Sequence, residues 1–453
     1  MHTIKTHLQH ASLPYHTIFI FSVLWLITAA VNAVLIKTGF LPGAPLYFPI
    51  SIFSGPEFHW RGLPYAAPFI LLLYIGLRYG PRMNGFQIWS TGLFLIITGN
   101  LMQGGFERAF IEPFTASDIQ YYHDAVSVED WDSFLGNFNS IQATLRDHSR
   151  THPPFALLLH HLFLSAGNGS IAVISLSFVL LSSLTLIVIR QTILHLGGTP
   201  ARAAQFALLF AVIPAINIYF AVSLDGVIAL FSALWVWGAV LVLTNRSVIG
   251  GISLIVAGIL LMNILTFIGL FLLAVTFLIA VREVFLYRRH MFTVALGIAA
   301  IIGMAGYLFF FSVFGYDHLR AFITASQLEN PGGFFALAAP LKYIMTRLED
   351  IFEIALFLSL GITGTLFSRH HLQLNLRDHR DDASALFHAA IIILACMFLV
   401  GAYKTGETAR ACLYLYPFFL PVLRSVNDRT LYLSTVLAGV QTMIMQLCGG
   451  YFW

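Results

Sequence analysis

Long apolar runs are the feature that most constrains the fold of this chain. Segments of about 20 residues with few charges recur along it, beginning with Thr17 to Ile36. An α-helix of that length crosses a hydrocarbon core of roughly 30 Å and satisfies its own backbone hydrogen bonds without water. The 453 residues are 58% hydrophobic and 10% charged, whereas soluble domains are about a quarter charged. The sequence therefore predicts an all-α polytopic membrane protein.

About thirteen transmembrane helices follow from these runs. The predicted spans are 17–36, 64–80, 85–103, 170–190, 202–222, 226–243, 248–262, 264–281, 291–313, 349–367, 384–402, 411–424 and 429–447. Segment 248–281 also fits one long kinked element in place of two helices that turn at Asn263. No soluble domain is expected after the last span, so residues 1–453 are predicted to form a single transmembrane domain.

The distribution of charge predicts how the bundle sits in the membrane. With the N-terminus inside, the short inner loops carry arginines such as Arg190, Arg202 and Arg246, as the positive-inside rule requires. Most acidic residues then fall on the outer side, mainly in loop A (104–167), with a second long outer loop, loop B, at 316–350. We expect a multi-pass protein of the plasma or inner membrane with its active site on the extracytoplasmic side. The net charge of +3 and the lack of a Lys/Arg-rich block give no basis for a nucleic-acid partner.

Two juxtamembrane helices are predicted in loop A. Apolar residues recur at helical spacing between Val128 and Leu145, which is typical of an amphipathic helix on a membrane surface. The apolar run from Phe155 to Leu164 follows two prolines and is too short to span a bilayer, so it predicts a re-entrant or surface helix.

Loop A also carries the first candidate site residues. Asp118 stands at the predicted membrane edge, followed by Tyr121, Tyr122 and Asp124. A partly desolvated carboxylate there suits a general base, although interfacial tyrosines beside a solvated acid are also common. His152 stands at the N-terminus of the helix that Pro153 and Pro154 start. Free backbone amides there favour binding of an anion. The alternative is that His152 simply caps the helix.

Further candidates lie in or between the later spans. Asp225 is an acid at the end of a predicted span, where a charge is costly and therefore indicates function. Arg320, Lys342 and Arg347 in loop B suit either a lipid phosphate or ordinary headgroups. Three more charged residues lie between two late predicted spans: Lys404, Glu407 and Arg410. They are compatible either with an internal ion pair or with a phosphate site.

The sequence firmly implies no metal or other cofactor. A divalent cation could bind through carboxylates at Glu129, Asp130 and Asp132. Alternatively, these acids form the solvent-exposed face of the amphipathic helix. The three cysteines are widely spaced and predict neither a disulfide framework nor a metal site.

The order of these motifs resembles the GT-C superfamily of polyprenyl-phosphate-sugar-dependent glycosyltransferases, of the protein O-mannosyltransferase and aminoarabinose-transferase type. The resemblance lies in residues 104–281 and is carried by Asp118, His152-Pro153-Pro154 and Asp225. It implies a GT-C-like bundle and an inverting transfer from a polyprenyl-phosphate sugar donor to a protein, lipid or glycan acceptor. Asp118 would take the acceptor proton, while a cation such as Arg320, Lys342, Arg347 or Arg410 would stabilise the leaving phosphate.

Two other functions remain open from the sequence. A transporter or flippase for a lipid-linked sugar or small solute predicts two related halves with a polar site at midplane, and no such repeat is visible. In a structural or assembly subunit, the acids would merely solvate a surface loop.

Overall fold

The computed structural model describes residues 14–39, 58–329, 335–368, 382–403 and 408–451. These residues form α-helices and short helical turns and contain no β-strand. The α-helices are α1 Tyr15–Lys37, α2 Ala66–Tyr79, α3 Gly85–Leu101, α4 Glu112–Thr115, α5 Tyr121–Ala125, α6 Trp131–Ile141, α7 Asp147–Arg150, α8 Pro154–Ala166, α9 Ile171–His195, α10 Pro200–Ala211, α11 Pro214–Tyr219, α12 Leu224–Leu243, α13 Val248–Leu265, α14 Leu270–Tyr287, α15 Met291–Phe314, α16 His318–Glu329, α17 Phe335–Ala338, α18 Pro340–Phe357, α19 Leu360–Phe367, α20 Asp382–Leu399, α21 Thr408–Ala411, α22 Tyr416–Val422 and α23 Asp428–Cys448.

Shorter helical turns connect several of these helices. A π-helical turn covers Glu107–Ile111. The 3-10 turns are Trp60–Tyr65, Gly80–Arg82, Gln142–Thr144, Phe267–Gly269, Leu413–Leu415 and Leu423–Ser425.

Eight helical segments of the described chain are long and apolar enough to cross a membrane, which makes this a helical, multi-pass membrane protein. They are Trp60–Arg82, Ile171–His195, Leu224–Leu243, Val248–Leu265, Phe267–Tyr287, Met291–Phe314, Asp382–Leu399 and Asp428–Cys448. The count becomes nine if α18 and α19, bent by 108° at their junction, form one span. Region 248–281 is confirmed as two helices, which separate at Thr266 and not at Asn263.

The other predicted spans correspond to shorter or interrupted elements. Helix α1 covers the first prediction, 17–36, and α3 covers the first 17 residues of the predicted span 85–103, ending at Leu101. Predicted span 202–222 is divided into α10 and α11, because Pro214 has no N–H to continue the helix. Region 411–424 folds into short turns and α22. The full count of thirteen spans stays a prediction.

Helix α12 is the centre of the bundle. It packs against α9 and α13, and 83% of its most apolar stretch is buried. Gly238 on α12 and Gly251 on α13 allow the two backbones to touch, since a Cβ on Gly238 would lie 2.6 Å from the Gly251 carbonyl oxygen. Small residues permit this close helix approach in membrane bundles.

A network of buried amides ties three further elements together. In the last turn of α3, the Asn100 Nδ2 donates to the carbonyl of Asn217 on α11 at 2.6 Å. On α23, Gln446 accepts from Gln103 at 2.7 Å and donates to the Asn217 Oδ1 at 3.0 Å. Because unpaired amides are costly in an apolar interior, the network fixes α11, the element that leads into α12.

We predict that Gly99→Ala destabilises the protein through this network. A Cβ at position 99 would lie 1.9 Å from the Asn217 Oδ1, so the amide must move and lose its partner, at a cost of about 1–3 kcal/mol. Gly297→Ala on α15 is the matched control, because a Cβ there meets nothing within 4 Å. Thermal unfolding in detergent should show a lower melting temperature only for Gly99→Ala. Equal melting temperatures would contradict the proposed rigidity of the network.

Candidate functional site

A cavity of about 820 Å³ lies where loop A meets the start of α12 and the later helices. Its walls come from seven parts of the chain that are far apart in sequence. The lining residues fall within 113–121, 147–160, 222–225, 266–274, 322–329, 393–403 and 408–411, although not every residue of these ranges takes part. The fold therefore brings loop A, loop B and the interior of the bundle to one place.

Asp225 lines this cavity from the first turn of α12. The Ser223 Oγ caps the helix by accepting from the Asp225 backbone N–H at 3.0 Å, and it donates to the Asp225 Oδ2 at 2.7 Å. The Asp225 side chain is 21% exposed, and the amide network holds the preceding helix α11 in place. The carboxylate is thus fixed in a cavity and not merely at the end of a span.

Arg410 is the cation that faces Asp225. Its Nε lies 3.7 Å from the Asp225 Oδ2 and its Nη2 lies 3.4 Å from the Nε2 of His148. The side chain is 10% exposed and comes from α21, so its charge is directed into the cavity by a late part of the chain. Among the candidates of the 404–410 group, Arg410 is placed in the cavity, and Lys404 and Glu407 lie outside the described residues.

Three histidines surround Tyr121 beside this ion pair. The Tyr121 ring is stacked on His160 at 4.6 Å and on His148 at 5.6 Å, and its edge meets His152 at 5.5 Å. His148 and His152 belong to the segment that enters α8, while Tyr121 begins α5. All four rings line the cavity.

The two histidines before α8 are held in their neutral form. Burial and the adjacent Arg410 guanidinium lower the pKa of His148 well below its ordinary value. Burial also lowers the pKa of His152, although Asp225 opposes the shift. The His152 Nδ1 lies 3.0 Å from the His148 carbonyl oxygen, so this nitrogen carries the proton. The His152 ring is thereby oriented by its own turn.

Another part of the lining is apolar. It includes Leu270 and Ala274 from α14 and Ile393 and Met397 from α20. Val400 also lines the cavity and is 71% exposed, so the lining includes a residue at the protein surface after the end of α20. The cavity thus combines a charged pocket with an apolar slot.

Asp118, the predicted base, lies outside the lining of the cavity, although Ile119 and Gln120 belong to it. Its side chain is 88% exposed and pairs with Arg146 at 2.9 Å. The expected partial desolvation of this carboxylate is therefore wrong for this conformation. Arg146 also donates its backbone N–H to Asp124 at 3.0 Å, so Asp124 supports the loop and does not face the cavity.

Tyr122 packs at the edge of the apolar core and against His123 at 5.4 Å. It is absent from the lining of the cavity, whereas its neighbour Tyr121 is part of it. Helix periodicity explains the difference, because adjacent residues of α5 point about 100° apart.

The loop B arginines do not provide the cation predicted for the cavity. Arg320 is exposed on α16 and is absent from the lining. Arg347 is buried, pairs with Asp350 at 2.9 Å and donates to the Tyr403 carbonyl at 2.6 Å. Lys342 lies in α18, but its side chain is outside the described part of the structure.

The acids of loop A do not form a metal site in the described residues. The Asp130 Oδ2 accepts the Ser133 backbone N–H at 2.7 Å and so caps α6. No group of three His, Cys, Asp or Glu side chains within the described ranges has a geometry that could hold a metal ion. The capping role agrees with the alternative interpretation of these residues as the solvated face of a helix.

His148 is the site residue that the sequence analysis missed. It precedes His152 by four residues, a spacing that places two histidines on the same side of a helical turn. That spacing was visible in the sequence, but its partner Arg410 is 262 residues away and could not be inferred from it.

We predict that His148 and His152 make the folded protein less stable in acid. Because their pKa values are lowered in the folded state, the unfolded chain takes up protons that the native protein does not accept once the pH falls below about 6.5. The free energy of unfolding should then decrease by up to about 1.4 kcal/mol per pH unit for each histidine.

The measurement is the melting temperature in detergent between pH 7.5 and 5. His148→Gln combined with His152→Gln should flatten the decrease, while His290→Gln, at an exposed position, should leave it unchanged. An identical pH slope for the wild type and the double variant would contradict the neutral state of the two rings.

The chain matches no family model, no curated protein and no solved structure. Its function is therefore inferred from the residues of the cavity and from the sequence pattern.

Proposed function

We propose that this protein is an inverting glycosyltransferase that moves a sugar from a polyprenyl-phosphate-linked donor to an acceptor hydroxyl at the outer face of the membrane. The observation that carries the proposal is the composition of one cavity. It joins a buried arginine, a carboxylate and neutral histidines to an apolar slot that reaches the surface of the bundle.

The shape of the cavity supports an amphipathic donor. A hydrocarbon chain would lie along Leu270, Ala274, Ile393 and Met397, where it removes apolar surface from water. Val400 follows directly after α20, a helix apolar enough to face lipid, so the remainder of a long chain would continue from here into the bilayer. A water-soluble sugar donor would leave this slot unfilled.

Arg410 supports an anionic group at the inner end of the slot. An arginine guanidinium matches the oxygen geometry of a phosphate and keeps its charge at any relevant pH. The 3.7 Å separation from Asp225 exceeds a hydrogen bond, so the pair is looser than a closed bidentate ion pair. A phosphate oxygen would approach the guanidinium at this point, beside the imidazole of His148.

Asp118 is the proposed general base. Ile119 and Gln120 line the cavity, and in the proposed reaction the side chain of the preceding Asp118 turns from solvent toward it. The exposed ion pair with Arg146 opposes that turn by at most about 1 kcal/mol. An acceptor arriving from water would therefore meet Asp118 while the donor lies in the cavity.

The proposed reaction is a single displacement at the anomeric carbon. Asp118 takes the proton of the acceptor hydroxyl as its oxygen forms a bond to that carbon. The bond between the carbon and the phosphate oxygen breaks, and polyprenyl phosphate leaves with the electron pair. Arg410 stabilises the charge that this phosphate gains. The extracytoplasmic location of the reaction rests on the charge distribution of the loops.

We predict that Asp118→Asn lowers transfer from a polyprenyl-phosphate sugar by about 10²–10⁴-fold, the usual contribution of a general base. The amide cannot accept the proton, while the shape of the side chain is conserved. Product formation would be measured with purified protein reconstituted in vesicles that contain lipid-linked sugars.

Asp132→Asn is the matched control, because this exposed acid is in the same loop, away from the cavity, and the substitution removes the same charge. It should retain wild-type activity. Full activity of Asp118→Asn would exclude this residue as the base. If the protein instead moved the intact lipid-linked sugar across the vesicle membrane without transferring the sugar, that result would support a transporter.

A further inference from the structure

Helix α18 buries three acids in the interior of the protein. Glu349, Asp350 and Glu353 are 2%, 0% and 0% exposed, and Arg347 on the same helix is 8% exposed. Buried carboxylates are costly unless they are paired or accept hydrogen bonds. Their partners therefore indicate what the helix holds in place.

Two of these acids bind the short helix α21. The Thr408 hydroxyl donates to the Asp350 Oδ1, and the backbone N–H of Ala409 donates to the Glu353 Oε1 at 2.9 Å. Helix α21 has only four residues, too few to be stable without external partners. Asp350 and Glu353 thus supply acceptors to two of its residues.

The same helix also holds the chain that enters this region. Arg347 donates to the backbone carbonyls of Ala402 and Tyr403 and pairs with Asp350 at 2.9 Å. Positions 402, 403, 408 and 409 are therefore all bound by α18. Arg410 is the next residue, and its side chain reaches Asp225 and His148 in the cavity.

We propose that Asp350 and Glu353 are positioning residues that hold Arg410 in the cavity through α21. Only the role of Arg410 as a phosphate-binding cation rests on the proposed function. Whether α18 and α21 fix the position of the Arg410 guanidinium can be measured without any substrate.

The readout is the titration of His148. The groups that act electrostatically on this ring are the charged Arg410 and the titratable His152 and His160. Because the Arg410 charge lowers the pKa of His148, any displacement of Arg410 should raise it. Diethyl pyrocarbonate reacts with neutral imidazole, so the pH profile of carbethoxylation at His148, followed by peptide mass spectrometry, reports this pKa.

Arg410→Gln sets the reference and should move the midpoint of the His148 profile up by about one pH unit. Glu353→Ala should produce a similar shift, because it removes the acceptor of the Ala409 N–H. Glu353→Gln keeps an acceptor oxygen and should behave as the wild type. Glu349→Gln removes a buried acid of the same helix that makes no hydrogen bond or ion pair with α21 in the described residues, and it should also leave the profile unchanged.

A second pair of variants covers the case in which Glu353→Ala does not fold. Thr408→Val removes the hydroxyl that binds Asp350 and should raise the midpoint, whereas Thr408→Ser keeps it and should not. A wild-type profile for Glu353→Ala or Thr408→Val would overturn the proposal. Equal shifts of the His148 midpoint for Glu353→Gln and Glu353→Ala would also overturn it. The loss of the carboxylate charge, and not the loss of the hydrogen bond to Ala409, would then explain the shift.

Binding of polyprenyl phosphate to the same purified variants separates this inference from the proposed function. If the wild type binds the lipid, Glu353→Ala should weaken binding about as much as Arg410→Gln does, and Glu353→Gln should not. If the wild type binds no polyprenyl phosphate, the proposed function fails, while the His148 profiles still decide whether α18 positions Arg410.

Discussion

Polar groups buried in an apolar bundle must find partners inside the protein, and this constraint organises the molecule. The amides of Asn100, Asn217 and Gln446 bind one another across three helices. The acids of α18 bind α21, and Asp225 is held by Ser223 and faces Arg410. Burying these polar groups costs little free energy while they are paired. Breaking a pair costs much more, because the apolar interior offers no water as a substitute partner. The polar contacts therefore determine which helices meet.

These pairings also place the cavity. The amide network fixes α11, whose C-terminal end leads through Ser223 to Asp225 at the start of α12. The α18 acids fix α21, which carries Arg410 to the same point from the other side. The two charges thus reach the cavity on different helices, each held by its own buried hydrogen bonds. This arrangement is suited to a rigid polar site, since each charge lies on or beside a backbone held by hydrogen bonds.

The sequence predicts the helical membrane class because apolar run length is a local property that needs no tertiary information. It also identifies the proline-started helix α8 and places His152 and Asp225, which line the cavity. It misassigns interrupted regions such as α10 and α11, where one proline within an apolar run divides a helix. The sequence cannot distinguish Arg410 from Arg320 as the cation of the cavity, because both are isolated cations near apolar segments. Only the long-range contacts between α18 and α21 distinguish them.

The charge of the proposed donor explains why a loose ion pair and neutral histidines suit this cavity. A polyprenyl-phosphate sugar is a phosphodiester with one negative charge, and the departing polyprenyl phosphate gains a second as the bond breaks. Arg410 interacts more strongly with the second state, which is the requirement for catalysis as opposed to simple binding. The growing negative charge also opposes the effects that lower the pKa of His148. A ring that is neutral at rest adds no second positive charge beside Arg410 before the charge of the phosphate develops.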